Sequence, residues 1–343
     1  HLLPDPAGPT GEDTTNRRTF VTLGTLGVLA ATATERSREI AGADPDPATM
    51  IEIEEDIDRF AEQYTLLPHA VLLPAVIQRW RQVDAALGRR TTLSVRNRLT
   101  AAAGRLTYYL SRLSFNSGDF RAALRLAALA EQYATQVGDT VILSSAAGIA
   151  SGVAFYRHQY DAAVAAFTTP DPPHLRARNA AYRARAHAAR GDVRSALAEL
   201  DVMRSGPLAA PPQPGDLPLT HAAADMFSAV TLVRCGDGQA AEQYARNSIA
   251  AHEAAGDTVN TEEFGHALCV LAGALLQRER PEPEEAAALG RRALTLLDGR
   301  PTHTVLLRAH RLSEELRPYR LPAVSEFHEQ LQAAPRPVLT SGR

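Results

Sequence analysis

Apolar residues recur at intervals of three and four along most of the chain, which is the period of an amphipathic helix. The first such run spans residues 48–64 and is carried by Met50, Ile53, Ile57, Phe60 and Tyr64. A second run extends from Leu72 to Leu87 and is followed by Gly88, a residue type that commonly ends helices. No stretch alternates apolar and polar residues as a strand would. The pattern predicts an all-α protein that begins with a helical hairpin at residues 48–90.

From residue 91 onward, a segment that predicts a helical hairpin recurs along the chain. In SFNSGDFRAALRLAALAEQYATQVGD, residues 114–139, one helix ends at Gly-Asp, an aromatic residue follows, and a second helix begins. Related segments are HQYDAAVAAF, RGDVRSALAEL, CGDGQAAEQYA and RPEPEEAAALG. The small residues after each turn stand 40, 33, 45 and 45 residues apart, and they are Ala123, Ala163, Ala196, Ala241 and Ala286. Two antiparallel helices with their turns need about this length.

These intervals predict a right-handed superhelix of degenerate tetratricopeptide-like helical hairpins. The repeat domain is expected at residues 91–318, with a proline-rich insertion at 205–218. A linker with a short apolar helix at about 16–33 is expected within residues 1–47, and a C-terminal helix with a flexible tail at 319–343. An ordinary helical bundle with similar turns is the alternative.

Stacked helical hairpins form a concave inner face that can bind peptides or partner helices. If the first helix of each pair lines this face, the turn register places nine residues on it. They are Arg105, Tyr108, Arg112, Asn116, Tyr156, Arg178, Arg185, Met226 and Arg234. Arginine with tyrosine and asparagine suits an anionic ligand or a peptide carboxylate. The alternative is that these arginines lie on solvated helix faces.

The composition supports helices that pack closely, because the chain is rich in alanine while aromatic residues make up only 6%. The net charge of −3 gives no basic excess for nonspecific phosphate binding, and every basic residue is arginine. Residues 176–190 are locally basic and could contact nucleic acid. Their alanine stripe is typical of core packing, however, and no DNA-binding helix-turn-helix pattern surrounds them, so such contact is not favoured. Cys235 and Cys269 are the only cysteines, which favours a reducing compartment.

Catalysis is not indicated, because the sequence has no nucleophile elbow, phosphate-binding loop, zinc-protease motif or dinucleotide fingerprint. Glu262, His266 and Cys269 share one helix face at i, i+4 and i+7, which is compatible with a metal triad. The favoured interpretation is a partly buried histidine and cysteine beside an exposed glutamate. We therefore expect no enzyme activity, no cofactor and no metal.

The segment TNRRTFVTLGTLGVLAATA, residues 15–33, has the appearance of a twin-arginine export signal. Its apolar run from Phe20 to Ala33 is shorter than the roughly 20 residues that span a bilayer, and it follows an acidic linker. An internal helix capped by Thr15 or Asn16, packed on the first helices of the repeat domain, is the more economical interpretation. It predicts a cytoplasmic protein without membrane contact.

The order of these segments resembles the C-terminal part of actinobacterial Xre-type helix-turn-helix transcriptional regulators. An Arg-Arg-x-Phe segment precedes an acidic helix, a Leu-Leu-Pro segment with a tryptophan, and then the repeats. The resemblance covers about residues 16–300. Its matching segments are Asn16–Phe20, Ile51–Tyr64, Leu72–Leu87, Leu113–Ala123 and Ala154–Phe167.

The resemblance implies a ligand-sensing, homodimerising regulatory domain with a peptide or small-molecule ligand. In that family a DNA-binding domain precedes the linker and the repeats, so DNA would be bound only through an N-terminal domain missing from this sequence. The repeats are also similar to those of Gram-positive peptide-pheromone receptors, which bind a short peptide. A stand-alone scaffold for protein partners and an exported or membrane-tethered repeat protein are the alternatives.

Overall fold

The protein is all-helical in the part that its computed structural model describes. The described residues are 29–34, 44–208, 211, 213–217 and 219–334. Every regular element within these ranges is an α-helix, apart from one turn of 3-10 helix at Gly256–Thr258, and they contain no strand. The all-α prediction is therefore confirmed for these residues.

The helices follow one another with short connections. The first seven are α1 (Pro47–Gln63), α2 (His69–Leu87), α3 (Leu93–Asn116), α4 (Phe120–Val137), α5 (Thr140–Tyr156), α6 (Tyr160–Ala165) and α7 (Arg176–Ala189). The remaining seven are α8 (Val193–Ser205), α9 (His221–Cys235), α10 (Gly238–Ala254), α11 (Thr261–Leu276), α12 (Pro283–Leu296), α13 (His303–Leu316) and α14 (Pro322–Ala333).

The repeated Gly-Asp dipeptide ends one helix and begins the next. Its glycines adopt the left-handed backbone conformation that only glycine reaches without strain, with φ of 87°, 71°, 85° and 81° at Gly118, Gly138, Gly191 and Gly236. Each following aspartate caps the next helix; the Asp119 carboxylate, for example, accepts a hydrogen bond of 2.8 Å from the Ala122 amide. The same turn chemistry therefore sets the length of several hairpins.

The hairpin of α5 and α6 departs from this rule. His158 takes the left-handed position with φ of 60°, and Gln159 precedes α6 without a side-chain capping bond. Helix α6 is only six residues long. The hairpin of α11 and α12 also lacks an aspartate cap, since α12 begins at Pro283 after Glu282. Missing caps leave backbone N–H groups at the helix start without side-chain partners.

Paired helices meet at the alanines that follow the turn in each repeat. The pairs α3–α4, α7–α8, α9–α10 and α11–α12 make the most extensive helix contacts. All five aligned alanines are fully buried on the second helix of a pair; they are Ala123, Ala163, Ala196, Ala241 and Ala286. A larger side chain at these points would hold the two helices apart.

The early and late helices touch each other, so the chain closes around an interior space. The Asn116 amide at the end of α3 donates a hydrogen bond of 2.8 Å to the Glu262 carboxylate of α11. The ring of Phe120 packs edge-on against His303 of α13, with 5.4 Å between ring centroids. A Cβ added to Gly118 would lie 2.7 Å from the His303 ring, so glycine is also required for this close approach.

Little of the predicted N-terminal apolar helix falls within the described residues. Residues 29–34 are helical, Leu29 is exposed, and the Thr34 hydroxyl lies 3.4 Å from the Glu52 carboxylate of α1. The remainder of the expected helix at 16–33, part of the insertion and the tail after residue 334 lie outside the described residues. No helix among those described combines the length and the apolar content needed to cross a bilayer.

We expect Ala196→Leu in α8 to destabilise the protein by about 1–3 kcal/mol, because extra methyl groups at a fully buried helix contact force the helices apart. The matched control is Ala198→Leu, an exposed alanine in the same helix, which should change stability by less than about 0.5 kcal/mol. Urea unfolding followed by circular dichroism measures both. Equal midpoints for the two variants would contradict the role assigned to the aligned alanines.

Candidate functional site

A cavity of about 510 Å³ lies between the inner helices, and we call it the central cavity. Its walls come from α3, α5, α7, α9, α11 and α13, and its edge includes the loop between α1 and α2. The volume falls within the range of about 300–1,000 Å³ that small-molecule sites occupy. The exposed lining residues His221, Ala251 and Thr258 lie around the start of α9, the end of α10 and the connection to α11.

Five arginines line the central cavity. Arg112 comes from α3, Arg178 and Arg185 from α7, Arg300 from the connection between α12 and α13, and Arg308 from α13. Arg178 and Arg185 are seven residues apart and therefore lie on one helix face, and each is only 6% exposed. Burial of guanidinium groups is rare unless they are paired, so their partners determine what the site can bind.

Two carboxylates line the same cavity, and both already have partners. The Arg178 guanidinium lies 3.3 Å from the Glu263 carboxylate. Glu262 accepts hydrogen bonds from the Asn116 amide and, at 3.3 Å, from the Thr304 hydroxyl. No carboxylate of the described residues lies within 4 Å of the guanidinium groups of Arg112, Arg185 or Arg308. The cavity therefore carries an excess of positive charge.

Arg185 is held by aromatic rings. Its guanidinium carbon lies 4.5 Å from the ring centroid of Phe155, 4.7 Å from that of Tyr182 and 5.6 Å from that of Phe227. The Nε atom is buried and has no hydrogen-bond partner. Burial lowers the pKa of Arg185 below its ordinary value, which is the sign expected for a cation removed from water. Ring faces stabilise the cation only in part, since each such contact contributes about 0.5–2 kcal/mol.

The positive charge of the cavity arginines lowers the pKa values of two acidic side chains near them, Tyr182 and Glu262. Burial alone would raise the pKa of Tyr182, but the charges of Arg178, Arg112 and Arg185 outweigh burial and lower that pKa to about 8. Burial would also raise the pKa of Glu262, yet its close contact with His266, 3.8 Å away, and the charge of Arg112 lower that pKa to about 2. The arginines thus stabilise negative charge at Tyr182 and Glu262, whereas burial raises the pKa of Glu263 despite the nearby charge of Arg178.

The possible metal triad is not assembled. No group of three histidine, cysteine or carboxylate side chains suited to a metal exists among the described residues. His266 contacts Thr304 at 3.3 Å, and burial lowers its pKa to about 4, so the ring is neutral. Burial raises the pKa of the Cys269 thiol to about 12, and this residue lines a different cavity. The expectation of an exposed Glu262 is wrong, because its side chain is only 17% exposed.

The residues predicted for the concave face separate into two groups. Five of them line the central cavity; they are Arg112, Tyr156, Arg178, Arg185 and Met226. Asn116 lies beside it and bonds to Tyr64 and Glu262, two of the lining residues. Arg178 and Arg185 are buried, so the alternative of solvated arginines is wrong for both.

Three predicted residues lie away from the central cavity. Tyr108 is buried among the core side chains of the N-terminal helices. Arg105 lies 3.5 Å from the Asp139 carboxylate, and Arg234 lines a second cavity. The register of α3 selected one face of the helix, but Arg105 is two turns away from Arg112. The cavity reaches only the C-terminal part of that face, where α3 approaches α11 and α13.

Several lining residues were missed by reasoning from sequence, among them Tyr64, Tyr182, Glu263 and Arg308. One usable signal was present in α5, where Gly148 and Gly152 are one helical turn apart. A Cβ at Gly148 would lie 3.2 Å from the Tyr182 ring, and one at Gly152 would lie 3.1 Å from the Phe115 ring. The two glycines make room for the rings that enclose the cavity.

Comparison with protein-family models, with curated proteins and with solved structures gives no match for this chain. The cavity is therefore interpreted from its own geometry. It combines guanidinium groups in excess over carboxylates, aromatic walls and an edge formed by loops, and arginine is the side chain best suited to hydrogen-bond an anion.

We expect Arg112→Gln to raise the pKa of Tyr182 toward the ordinary tyrosine value of about 10, because one of the cations that stabilise the phenolate is removed. The measurement is a pH titration of phenolate absorbance, in which Tyr182→Phe identifies the transition near pH 8 by removing it. Arg125→Gln, at an exposed position of α4, should leave the transition in place. A transition unmoved in Arg112→Gln would show that this guanidinium does not act on Tyr182.

Proposed function

We propose that this chain is the ligand-sensing regulatory domain of a transcriptional regulator. Its central cavity binds a small anionic ligand, or the acidic end of a short peptide. The observation that carries the proposal is Arg185, a buried cation in the cavity wall that contacts rings but no carboxylate of the described residues.

The energetic argument is that an uncompensated buried charge is costly. Removing a cation from water costs several kcal/mol unless hydrogen bonds and an opposite charge replace the lost hydration. Arg185 is in this condition, since it is buried and both cavity carboxylates are engaged elsewhere. Arg112 and Arg308 are half-buried beside it and also have no carboxylate of the described residues within 4 Å. A ligand carboxylate or phosphate would supply the missing charge, and arginine offers the paired N–H groups that such anions accept.

The shape of the site favours a small ligand. In this proposal the hairpins form a right-handed superhelix of tetratricopeptide-like units whose curvature is tight. The contacts of Asn116 with Glu262 and of Phe120 with His303 close the inner face. An extended peptide would need an open groove along that face. A metabolite-sized anion or a short peptide terminus fits a closed cavity.

Binding would reach an attached domain through the curvature of the repeats. An anion held jointly by Arg112 of α3, Arg185 of α7 and Arg308 of α13 would tie the early and late hairpins together. In a homodimer, a change of curvature alters the distance between two DNA-binding domains and their fit to the half-sites. The N-terminal DNA-binding domain and the cytoplasmic location are part of this proposal because the sequence resembles Xre-type regulators.

We expect Arg185→Gln to weaken binding of small anions about tenfold or more, because charge-assisted hydrogen bonds are lost. Isothermal titration calorimetry with phosphate and succinate as probes measures the affinity. Arg176→Gln is the matched control, since Arg176 is exposed on the same helix. A bound anion at 100 times its Kd should also stabilise the wild-type protein by about 2.7 kcal/mol.

The proposal fails if neither anion binds the wild-type protein, or if Arg185→Gln binds them as the control does. The regulatory part is tested separately in the full-length gene product with a transcriptional reporter. Arg185→Gln should abolish the ligand response while leaving DNA binding intact. A stand-alone scaffold would instead retain its protein partners equally in both variants and show no effect on transcription.

A further inference from the structure

A second cavity of about 390 Å³ lies on another side of the inner helices, and we call it the outer cavity. It is formed by α5, α9, α11 and α13 together with the turn at His158. Its buried wall is largely apolar, and the residues that form it are Phe155, Val230, Val270, Cys269 and Leu312. The volume again falls within the range of small-molecule sites, about 300–1,000 Å³.

Three arginines surround the outer cavity, and two of them have no carboxylate partner within 4 Å among the described residues. Arg311 pairs with Glu315 near the entrance, whereas Arg234 and Arg308 form no such pair. The Arg234 guanidinium carbon lies 5.0 Å from the Phe155 ring centroid. Burial lowers the pKa of Arg234 to about 10, and the charges of Arg311 and Arg308 add to the effect.

From this combination we infer that the outer cavity is a second binding site, which takes an amphiphilic monocarboxylate such as a medium-chain fatty acid. The carboxylate lies between Arg234 and Arg308, neither of which has a carboxylate of the described residues within 4 Å. Glu314 and Glu315 also line the cavity; both are exposed, and Glu315 pairs with Arg311. The hydrocarbon portion lies against the apolar wall and leaves water, and this burial of apolar surface favours binding. Apolar walls with few polar groups at one end are typical of such sites.

The two cavities share Arg308 and Tyr156. Arg308 is half-buried and has no carboxylate of the described residues within 4 Å, so its guanidinium can face a ligand in either cavity. A carboxylate in the outer cavity would hold this guanidinium and change the charge offered to the central cavity. Binding at one site therefore alters affinity at the other, and the effect is reciprocal. The outer site itself does not depend on the function proposed for the central cavity.

The floor of the outer cavity offers a selective way to fill it. A Cβ added to Gly273 of α11 would have its nearest neighbours at 3.8 Å, the Glu315 carboxylate, and 3.9 Å, the Val233 methyl group. These are ordinary contact distances, so Gly273→Ala introduces no clash. Gly273→Leu extends four carbon atoms from the same backbone position toward space that the ligand needs.

The experiment titrates the full chain with octanoate by isothermal titration calorimetry, and octan-1-ol serves as the uncharged probe. We expect saturable octanoate binding, at least tenfold weaker binding of octan-1-ol, and loss of octanoate binding in Gly273→Leu. Gly273→Ala is the matched control and should bind octanoate within about threefold of wild type. Arg234→Gln should weaken octanoate about tenfold or more without changing the helical circular dichroism.

Three results would each overturn the proposal. The first is no saturable octanoate binding to the wild-type chain. The second is equal affinity for octanoate and octan-1-ol, which would mean that the arginines do not select the carboxylate. The third is octanoate binding that survives Gly273→Leu but disappears in Arg185→Gln, which would place the probe in the central cavity, since Arg185 does not line the outer one.

Discussion

Close approach of paired helices at alanine is the constraint on which the rest of the molecule depends. Each of the five aligned alanines removes the side-chain volume that would separate two helices, and each is fully buried. The tight pairs stack so that the end of α3 reaches α11 and α13. Without that curvature, Asn116 would not meet Glu262, and the inner face would be an open groove rather than a cavity.

Burial of positive charge is the second constraint, and it works against stability rather than for it. Small core residues bring the helices together, and the inner faces that result carry arginines in contact with aromatic rings. The lowered pKa of Tyr182 and that of Glu262 both report the potential that these cations create. Because Arg185 is buried without a carboxylate of the described residues beside it, any anion that binds there would also stabilise the fold.

Local features could be predicted from the sequence because they depend on neighbouring residues. Glycine followed by aspartate specifies a left-handed turn and a helix cap, as at Gly236 and Asp237, and helical spacing placed Arg178 and Arg185 on one face. Closure of the inner face depends on contacts between positions about 146 residues apart, as for Asn116 and Glu262, and no local pattern encodes them. Helical spacing alone therefore predicts Arg105 at the cavity, where it does not lie, and gives no sign that Arg308 lies there.

The turn at His158 makes the hairpin of α5 and α6 locally less stable than the hairpins whose turn has glycine and aspartate. A side chain in the left-handed conformation costs about 1–2 kcal/mol relative to the usual one, and the hydrogen bond of 2.7 Å between His158 and Tyr160 offsets only part of it. Helix α6 that follows is short and lacks a side-chain cap. This hairpin therefore has less local support than the hairpins whose second helix has an aspartate cap, and it borders the outer cavity through His158. Local unfolding of this hairpin would widen the outer cavity at His158 while leaving the aspartate-capped hairpins in place.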